Sequence, residues 1–172
     1  MNFKLIPLRE EKIKQYKFDM QEAFQQGAIE GFGAMEEQIL PESDIDRSRN
    51  AKGSVAYEAL VDGECVGGAI VIINEETQHN HLDFLFVKVG TQSKGIGQAI
   101  WKAIEALHPE TRVWETCTPY FEKRNIHFYV NCCGFHIVEF FHKYHIDPNE
   151  DAREVLDNEY FEGMFRFEKT MK

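Results

Sequence analysis

The most constraining feature of this 172-residue sequence is a strand-like segment that runs through a glycine turn into a helix-like segment. Residues 81–89, HLDFLFVKV, are partly apolar on both faces, as expected for a central strand. Residues 96–107 place apolar side chains at three- and four-residue spacings, and Pro109 lies beyond the last of them. The pair predicts a fold in which helices pack on a central sheet. The connecting residues, GTQSKGIG, are unusually rich in glycine.

Other segments predict further strands and helices. Two apolar arms flank Asp62-Gly63, a pair that suits a two-residue hairpin turn with positive φ. An amphipathic helix over 10–27 is expected to stop near Gly27, and residues 31–50 predict a short helix plus loop. Strands are predicted at 3–8, 111–116, 135–146 and 163–170, and a helix at 119–134 with Pro119 near its start and Gly134 as its C-cap. The fold class is therefore α+β with a central mixed sheet.

The composition limits the partners. A formal net charge of −10 disfavours nucleic acids and anionic membranes, which require a basic surface. No apolar run reaches the roughly 18 residues of a membrane span, and the first residues are too polar for a secretory signal. Cysteines at 65, 117, 132 and 133 show no CxxC spacing, so we expect a reducing, cytoplasmic location. The histidines at 79, 81, 142 and 145 lack the spacing of a four-ligand site, and no metal is expected.

Three phosphate-binding patterns compete for the glycine turn. A P-loop is excluded because Ile96 and Gly97 follow Gly95 where lysine and a hydroxyl residue are required. A dinucleotide-binding turn fits poorly, since Ile100 occupies its third glycine position and the motif lies in mid-chain. The third pattern is residues 92–97 at the start of a helix. Unpaired amides and the helix dipole at such a position suit a pyrophosphate.

The turn QSKGIG, between a strand and a helix, resembles the Q/R-x-x-G-x-G/A coenzyme A signature of the GNAT N-acetyltransferases. A second motif follows in the right order, because Asn125, Phe128, Tyr129, Gly134 and Phe135 resemble the family's FYxxxGF with an upstream asparagine. The resemblance covers nearly the whole chain and implies a single GNAT domain over 1–172. The implied fold is a mixed, mostly antiparallel twisted sheet of about seven strands with about four flanking helices, and a V-shaped splay between the central parallel strands.

The resemblance also implies how acetyl-CoA would bind as co-substrate. The pantetheine arm would lie between the splayed strands, and the pyrophosphate would rest on the amides of the turn. The cofactor-binding residues expected on this basis are Val87, Val89, Gln92, Ser93, Lys94, Gly95, Ile96, Gly97, Gln98, Asn125 and Phe128.

Acyl transfer from a thioester to an amine requires a neutral amine, a donor to the oxyanion and a proton for the leaving thiolate. Tyr129 matches the family's catalytic tyrosine and shares a helix face with Asn125. The family's frequent glutamate on the central strand aligns best with His81, so this chain departs from the pattern. His81 and Asp83 are both candidates for the base or for a group that orients the acceptor. Alternation places both on one face with Leu85 and Val87, unless a bulge intervenes.

The expected function is transfer of an acetyl group from acetyl-CoA to a primary amine by direct attack in a ternary complex. A small cationic amine is favoured, and Glu115 and Cys117 are candidate acceptor-pocket residues. An acyl-cysteine mechanism through Cys117 lacks an identifiable partner.

Two alternatives remain open at this point: a non-catalytic acyl-CoA sensor or scaffold of the same fold, and a protein or peptide acetyltransferase that modifies lysine or N-terminal amines. Residues 145–163 form a carboxylate-rich loop insertion with a short helix, which is either solvated or an acidic rim for a cationic acceptor. Dimerisation through a terminal strand is also left open.

Overall fold

A computed structural model describes residues 2–33, 36–91, 95–148 and 163–172. Within these ranges the strands are β1 (Phe3–Pro7), β2 (Ser54–Val61), β3 (Glu64–Ile72), β4 (His79–Val87), β5 (Val113–Pro119), β6 (His136–Phe141) and β7 (Met164–Thr170). They form one open sheet in the order β1-β2-β3-β4-β5-β7-β6. The helices are α1 (Ile13–Phe32), α2 (Glu42–Asn50), α3 (Ile96–Leu107) and α4 (Lys123–His127). Among the strands of the described residues, only β4 and β5 are parallel neighbours, which confirms the predicted mixed, mostly antiparallel sheet.

The β2–β3 hairpin turns at the predicted pair. Asp62 and Gly63 have φ angles of 50° and 86°, the left-handed values that a two-residue turn of this kind requires at both positions. Asp62 also accepts a hydrogen bond from the amide of Asn2 at 3.0 Å, so the turn is tied to the start of β1. This turn is specified by local sequence.

Helix α1 is longer than the prediction. It passes through Gly27 and ends at Phe32, and Gly33 follows it with a φ of 116°. A glycine inside a helix costs about 1 kcal/mol relative to alanine, which tertiary packing can offset. Ala28 supplies that packing, since it is fully buried against Ile39. The predicted stop at Gly27 is therefore wrong.

The segment predicted as one helix over 119–134 divides into three parts. Pro119 ends β5 rather than beginning the helix, and α4 starts four residues later, at Lys123. A π-helical turn, Phe128–Cys132, follows α4 directly. Gly134 has a φ of 84° and ends the segment as predicted.

Two apolar cores lie on opposite faces of the sheet. On the α3 face, Trp101 packs edge-to-face on Trp114 with ring centroids 5.3 Å apart, and both are almost fully buried. On the α1 face, Tyr16 packs on Phe86 at 5.2 Å and donates a hydrogen bond to the carbonyl of Ala69. Helices α3 and α1 therefore bury their apolar stripes against opposite faces of the sheet.

The parallel strands β4 and β5 separate soon after they meet. Their register includes only His79 with Val113, Asn80 with Trp114, and His81 with Glu115. Both strands continue beyond these pairs, β4 to Val87 and β5 to Pro119. The predicted V-shaped splay is thus present, and it opens toward the C-terminal ends of both strands.

Part of the predicted acidic insertion lies outside the described residues. Residues 145–148 and 163 are described, whereas 149–162, with the predicted short helix, are not. The strand predicted over 135–146 ends at Phe141, and His142 and His145 then form a two-way backbone bridge. No helix in the described ranges combines the length and the apolar composition that crossing a membrane requires.

Candidate active site

A cleft of about 890 Å³ opens where β4 and β5 separate. At one end it is lined by the first turn of α3, by α4 and by the π-helical turn, including Gly95, Ile96, Gly97, Gln98, Asn125, Phe128 and Tyr129. At the other end it lies between α1 and the residues that lead into α2, including Phe24, Gly27, Glu30, Ile39, Leu40 and Asp44. His81 and Asp83 line the cleft from β4, between these two ends.

Asp83 is the extra residue of a β-bulge in β4. The neighbouring strand β3 pairs Ile70 with Phe84 and Val71 with Leu82, so Asp83 has no residue opposite it. A bulge of this kind bends the strand and lets two consecutive side chains share one face. Phe84 packs in the α1-side core, and Asp83 lies on the same side.

The bulge overturns part of the predicted alternation. His81 and Asp83 do share a face, as expected, and Ser48 of α2 contacts Asp83 there. Leu85 and Val87, by contrast, pack with the α3-side core. The prediction places all four residues on one face unless a bulge intervenes. The bulge is present and shifts the alternation by one residue beyond Asp83.

His81 and Asp83 form a hydrogen-bonded pair within the cleft. Asp83 Oδ1 lies 2.6 Å from His81 Nδ1, and Asp83 Oδ2 accepts a hydrogen bond from Ser48 Oγ at 2.5 Å. An ionised carboxylate only accepts hydrogen bonds, so the neutral imidazole carries its proton on Nδ1 and keeps a lone pair on Nε2. About a third of the His81 side chain (35%) is exposed. The geometry is that of a base oriented by a carboxylate.

A charged cluster adjoins this pair on the same face of the sheet. Glu115 on β5 accepts a hydrogen bond from Arg166 Nη1 at 2.8 Å, and its other oxygen lies 3.7 Å from His81 Nε2. Arg166 on β7 also donates to Glu168 and, at 2.9 Å, to Glu139. We call Glu115, Glu139, Arg166 and Glu168 the Arg166 cluster.

Tyr129 lies beside the point where the two strands separate. Its ring is packed among Phe128, Phe135 and Phe167, and only 9% of the residue is exposed. Burial raises the pKa of Tyr129, although a hydrogen bond with Thr116 opposes the increase. Thr116 in turn donates to the carbonyl of Leu82 at 2.9 Å, which links β5 to β4 next to their last paired residues. Tyr129 lines the cleft as predicted and stays protonated at neutral pH.

The predicted coenzyme A residues are only partly described. Gln92, Ser93 and Lys94 lie outside the described residues, whereas Gly95 and Gly97 begin α3 at the edge of the cleft. Gly95 has a φ of 72° and, as the N-cap, has no side chain that could bond the first-turn amides of α3. These amides are the feature that suits a pyrophosphate.

The first turn of α3 and the segment around α4 are fitted closely together. A Cβ added to Gly97 would lie 3.2 Å from the ring of Phe128, so this contact leaves little room for a side chain. Gln98 donates a hydrogen bond to the carbonyl of Cys132 at 3.1 Å. Asn125 donates to Thr118 Oγ1 on β5 at 3.2 Å, which positions its amide at the cleft. Ile96, Gln98, Asn125 and Phe128, which were predicted to bind coenzyme A, line the cleft.

Val87 and Val89 differ in position. Val87 is the last residue of β4 and lines the cleft, but Val89 lies beyond the strand, in a turn with Gly90, and is not among the cleft residues. The predicted strand of 81–89 is displaced by two residues from the observed strand, which explains the error. Of the two predicted acceptor-pocket residues, Cys117 lines the cleft, and Glu115 lies behind His81.

Sequence reasoning missed three residues of this site. Ser48 and Arg166 complete the polar contacts around His81, and Glu122 lines the cleft although only 6% of the residue is exposed. Ser48 and Arg166 are far from His81 in sequence, and no local motif marks them. Glu122 is the N-cap residue of α4, but its side chain makes no capping hydrogen bond, and no local motif marks it as a cleft residue.

Among the described residues, one group brings three potential metal-ligating atoms within 4.8 Å of one another: His79, Glu115 and Glu168. The Arg166 guanidinium already donates hydrogen bonds to both carboxylates. Its charge would repel a metal ion at that position. We therefore interpret these side chains as part of an ion-pair network.

Comparison with known proteins gives two sequence matches. Residues 17–135 match the model of a family described as the acetyltransferase (GNAT) family. The uncharacterized protein YrkN of Bacillus subtilis (strain 168) is 48% identical over 171 residues, which represent 95% of this chain and 91% of that protein. The family match includes β4, the start of α3 and α4.

Solved structures share the fold at low sequence identity. The ribosomal-protein-S18-alanine N-acetyltransferase from Escherichia coli is 11% identical, with a TM-score of 0.69 over 99% of this chain and 95% of that one. Spermidine N-acetyltransferase from Vibrio cholerae, solved in complex with CoA and spermine, is 10% identical, with a TM-score of 0.69 over 98% and 95%. At these identities the likeness shows the fold alone.

Proposed function

Because the chain belongs to the acetyltransferase (GNAT) family, we propose that it transfers the acetyl group of acetyl-CoA to a primary amine. One observation supports this activity most directly: a single cleft at the fork of β4 and β5 is lined by the His81–Asp83 pair, by Tyr129 and by the first turn of α3. A proton acceptor, a proton donor and a pyrophosphate-type surface therefore adjoin the same space.

The co-substrate fits the residues at one end of the cleft. Acetyl-CoA supplies an activated thioester. The first-turn amides of α3 and the closely approached Gly97 suit its pyrophosphate, and residues 92–94 are proposed to continue that surface. Asn125, which keeps its amide oxygen available after donating to Thr118, is proposed to bond the pantetheine arm.

We assign the proton transfers of direct attack to His81 and Tyr129. The amine reacts in its neutral form, after its ammonium proton has passed to solvent. His81 then accepts at Nε2 the proton that the nitrogen loses as it attacks, while Asp83 holds Nδ1 and stabilises the imidazolium that forms. The amine nitrogen bonds to the carbonyl carbon, and the carbon–sulfur bond then breaks. Tyr129 donates a hydrogen bond to the leaving thiolate, because burial keeps the phenol protonated. Full proton transfer to sulfur is completed from Tyr129 or from solvent.

The other end of the cleft suits a small cationic acceptor. Carboxylates and aromatic rings line it together: Phe24, Asp44, Asp83, Phe121 and Glu122. Lys123 and Arg124 line the cleft too, but Arg124 is paired with Glu30 at 2.6 Å. Carboxylates attract a protonated amine, and rings pack on its carbon skeleton. The structural neighbour that carries spermine in its complex is consistent with an acceptor of this class.

The first experiment is a calorimetric titration with acetyl-CoA on wild type and on two matched asparagine variants. Asn125→Ala removes an amide that lines the cleft, and we expect weaker binding by roughly tenfold, the value of one lost hydrogen bond. Asn131→Ala is the control, because Asn131 is exposed and bonds only to its neighbour His127 in the described structure. Equal affinities for both variants would remove Asn125 from the binding site.

The second experiment is thiol release with polyamines, amino acids, aminoglycosides and peptides as acceptors, followed by product mass analysis. Acetylated small amines are the expected product. Acetylated peptides alone would favour a protein acetyltransferase. Binding of acetyl-CoA without thiol release for any acceptor would favour the sensor or scaffold.

A further inference from the structure

Glu115 lies between an arginine and the proposed base. Its Oε1 accepts a hydrogen bond from Arg166 Nη1 at 2.8 Å and lies 3.3 Å from His79 Nε2. Its Oε2 faces His81 Nε2 at 3.7 Å, which is longer than a hydrogen bond. The carboxylate therefore faces the proposed base without binding it.

Arg166 is itself held from several sides. Its Nε donates to Glu139 at 2.9 Å, and its Nη1 is shared between Glu115 and Glu168. Burial opposes the charge, but hydrogen bonds to Glu168, Glu139 and Glu115 outweigh it and raise the pKa of Arg166. The arginine thus stays charged across any assay range, and its position is fixed from β6, β5 and β7 together.

The position of Glu115 decides what His81 can do. Asp83 already accepts the Nδ1 proton, so a second carboxylate within bonding distance of Nε2 would stabilise a proton there as well. An imidazolium held between two carboxylates has no lone pair for the amine. The charged and titratable groups around the ring are Asp83 and His79 on β4, Glu115 on β5, Arg166 and Glu168 on β7, and Asp44 of α2, which lines the same cleft.

We propose that Glu115 and Arg166 are positioning residues for His81. Arg166 draws the Glu115 carboxylate away from Nε2 and offsets its charge, so that the ring carries one proton, on Nδ1, and remains a base. The proposal rests on the proposed function only in naming the amine as the source of the proton; the state of the ring is a property of the protein without substrate.

Kinetic measurement of the two single variants and the double variant tests this arrangement. In Arg166→Gln, Glu115 is released toward His81, and we expect the acid limb of the pH–rate profile to move to higher pH by roughly one unit, a loss of about tenfold at a fixed lower pH. Glu115→Gln is expected to move the limb the opposite way. Glu115→Gln with Arg166→Gln is expected to restore most of the lost rate, because no carboxylate then competes for Nε2.

Arg112→Gln provides the matched control, since Arg112 is exposed just before β5 and outside the Arg166 cluster. A purely structural role for Arg166 predicts that the double variant is worse than either single variant. That outcome, or an unmoved pH profile in a folded Arg166→Gln protein, would overturn the proposal. If Arg166→Gln does not fold, the opposite displacement in Glu115→Gln still decides the question.

Nitrogen-15 NMR of the histidine rings tests the proposal without any turnover, with His81→Gln used to assign the signals. Wild type is expected to show one protonated and one bare ring nitrogen at a pH where Arg166→Gln shows both protonated. Identical ring signals in the two proteins would refute the positioning role even if acetylation were found. A changed ring in a protein that acetylates nothing would refute the proposed function alone.

Discussion

Two arginine–carboxylate arrangements occupy opposite ends of the same sheet. Near β1 and β2, Arg9 gives three hydrogen bonds to one carboxylate: its backbone amide and Nε bond Glu58 Oε2 at 2.9 and 3.0 Å, and its Nη2 bonds Oε1 at 2.7 Å. The Glu58 side chain is only 1% exposed. All three hydrogen bonds join one arginine to one carboxylate, and we call this arrangement a closed pair.

The Arg166 cluster differs in the number of carboxylates that bond to one arginine. One arginine is divided among Glu115, Glu139 and Glu168, whose side chains are 23 to 31% exposed, and one of these carboxylates faces a histidine of the cleft. Loss of the Arg9 hydrogen bonds would leave the buried Glu58 carboxylate without donors, so this pair affects stability although the Arg9 side chain is 40% exposed. A shared, partly exposed cluster is expected to add less stability, and its charge acts instead on the group beside it. The same two side-chain types therefore serve the fold at one end and the cleft at the other.

The largest predicted effect is on catalysis at the cleft end. His81→Gln removes the proposed base, and we expect kcat to fall by about 100- to 10,000-fold. The free energy of unfolding should change by less than about 1 kcal/mol, because the side chain is partly exposed. His136→Gln is the control, since His136 is exposed on β6. Steady-state rates and urea unfolding measure both quantities, and an unchanged kcat would exclude His81 as the base.

The second effect is on stability at the closed end. Glu58→Gln replaces the carboxylate that accepts all three Arg9 hydrogen bonds, and we expect the free energy of unfolding to fall by about 2 kcal/mol. The rate of acetyl transfer by the remaining folded protein should stay within about twofold of wild type. Glu64→Gln at the exposed start of β3 serves as the control. Equal destabilisation by both variants would show that the Arg9 pair is no stronger than a surface charge.

The pH dependence of that stability sharpens the contrast. Burial disfavours the ionised form of Glu58, but hydrogen bonds from Arg9 outweigh it and hold the pKa of this carboxyl below its usual value of 4.5. A lowered pKa contributes stability that is complete above 4.5 and is lost as the pH falls below it. The difference in unfolding free energy between wild type and Glu58→Gln should thus stay constant from neutral pH to about 4.5 and then narrow. Urea unfolding across this range measures the difference. If the difference narrowed toward higher pH instead, the pKa of Glu58 would be raised rather than lowered.

The smallest predicted effect is at the outer edge of the Arg166 cluster. Glu139→Gln leaves Arg166 bonded to Glu115 and Glu168, and we expect the free energy of unfolding to stay close to that of wild type. The rate should change by less than about threefold, since His81 is not contacted by Glu139. A loss as large as that of Arg166→Gln would mean that Glu139, rather than Glu115, transmits the charge. Parallel rate and unfolding measurements distinguish these outcomes.

Local sequence predicted the elements whose causes are local. The Asp62-Gly63 turn needs positive φ at both residues, and the α3 stripe needs only its own periodicity, so both predictions are confirmed. The predicted helix end at Gly27 is not observed. Ala28 packs against Ile39, and sequence spacing does not reveal this contact. The family motifs supplied the fork, which composition and periodicity alone do not specify.

The sequence predicted the main polar residues of the cleft but not the side chains that contact them. His81 and Asp83 stand out as polar residues on an apolar strand, and they do form a pair. Their partners depend on strand order: Glu115 comes from the parallel neighbour, and Arg166 lies 51 residues farther along, in a strand inserted beside it. The roles of Tyr129, Asn125 and the turn at 92–97 remain predictions that the binding and kinetic experiments will test.

The single extra residue at Asp83 has a consequence for protein engineering. Up to it, odd-numbered side chains of β4 lie on the α1 side of the sheet; after it, odd-numbered side chains face α3. Substitutions at positions 79, 81 and 83 would therefore leave the opposite core untouched, although those at 81 and 83 would change the proposed base and its partner. Deleting a residue outside the bulge would exchange the two surfaces from that point onward, whereas deleting Asp83 itself would restore regular alternation with Leu82 and Phe84 still on opposite faces.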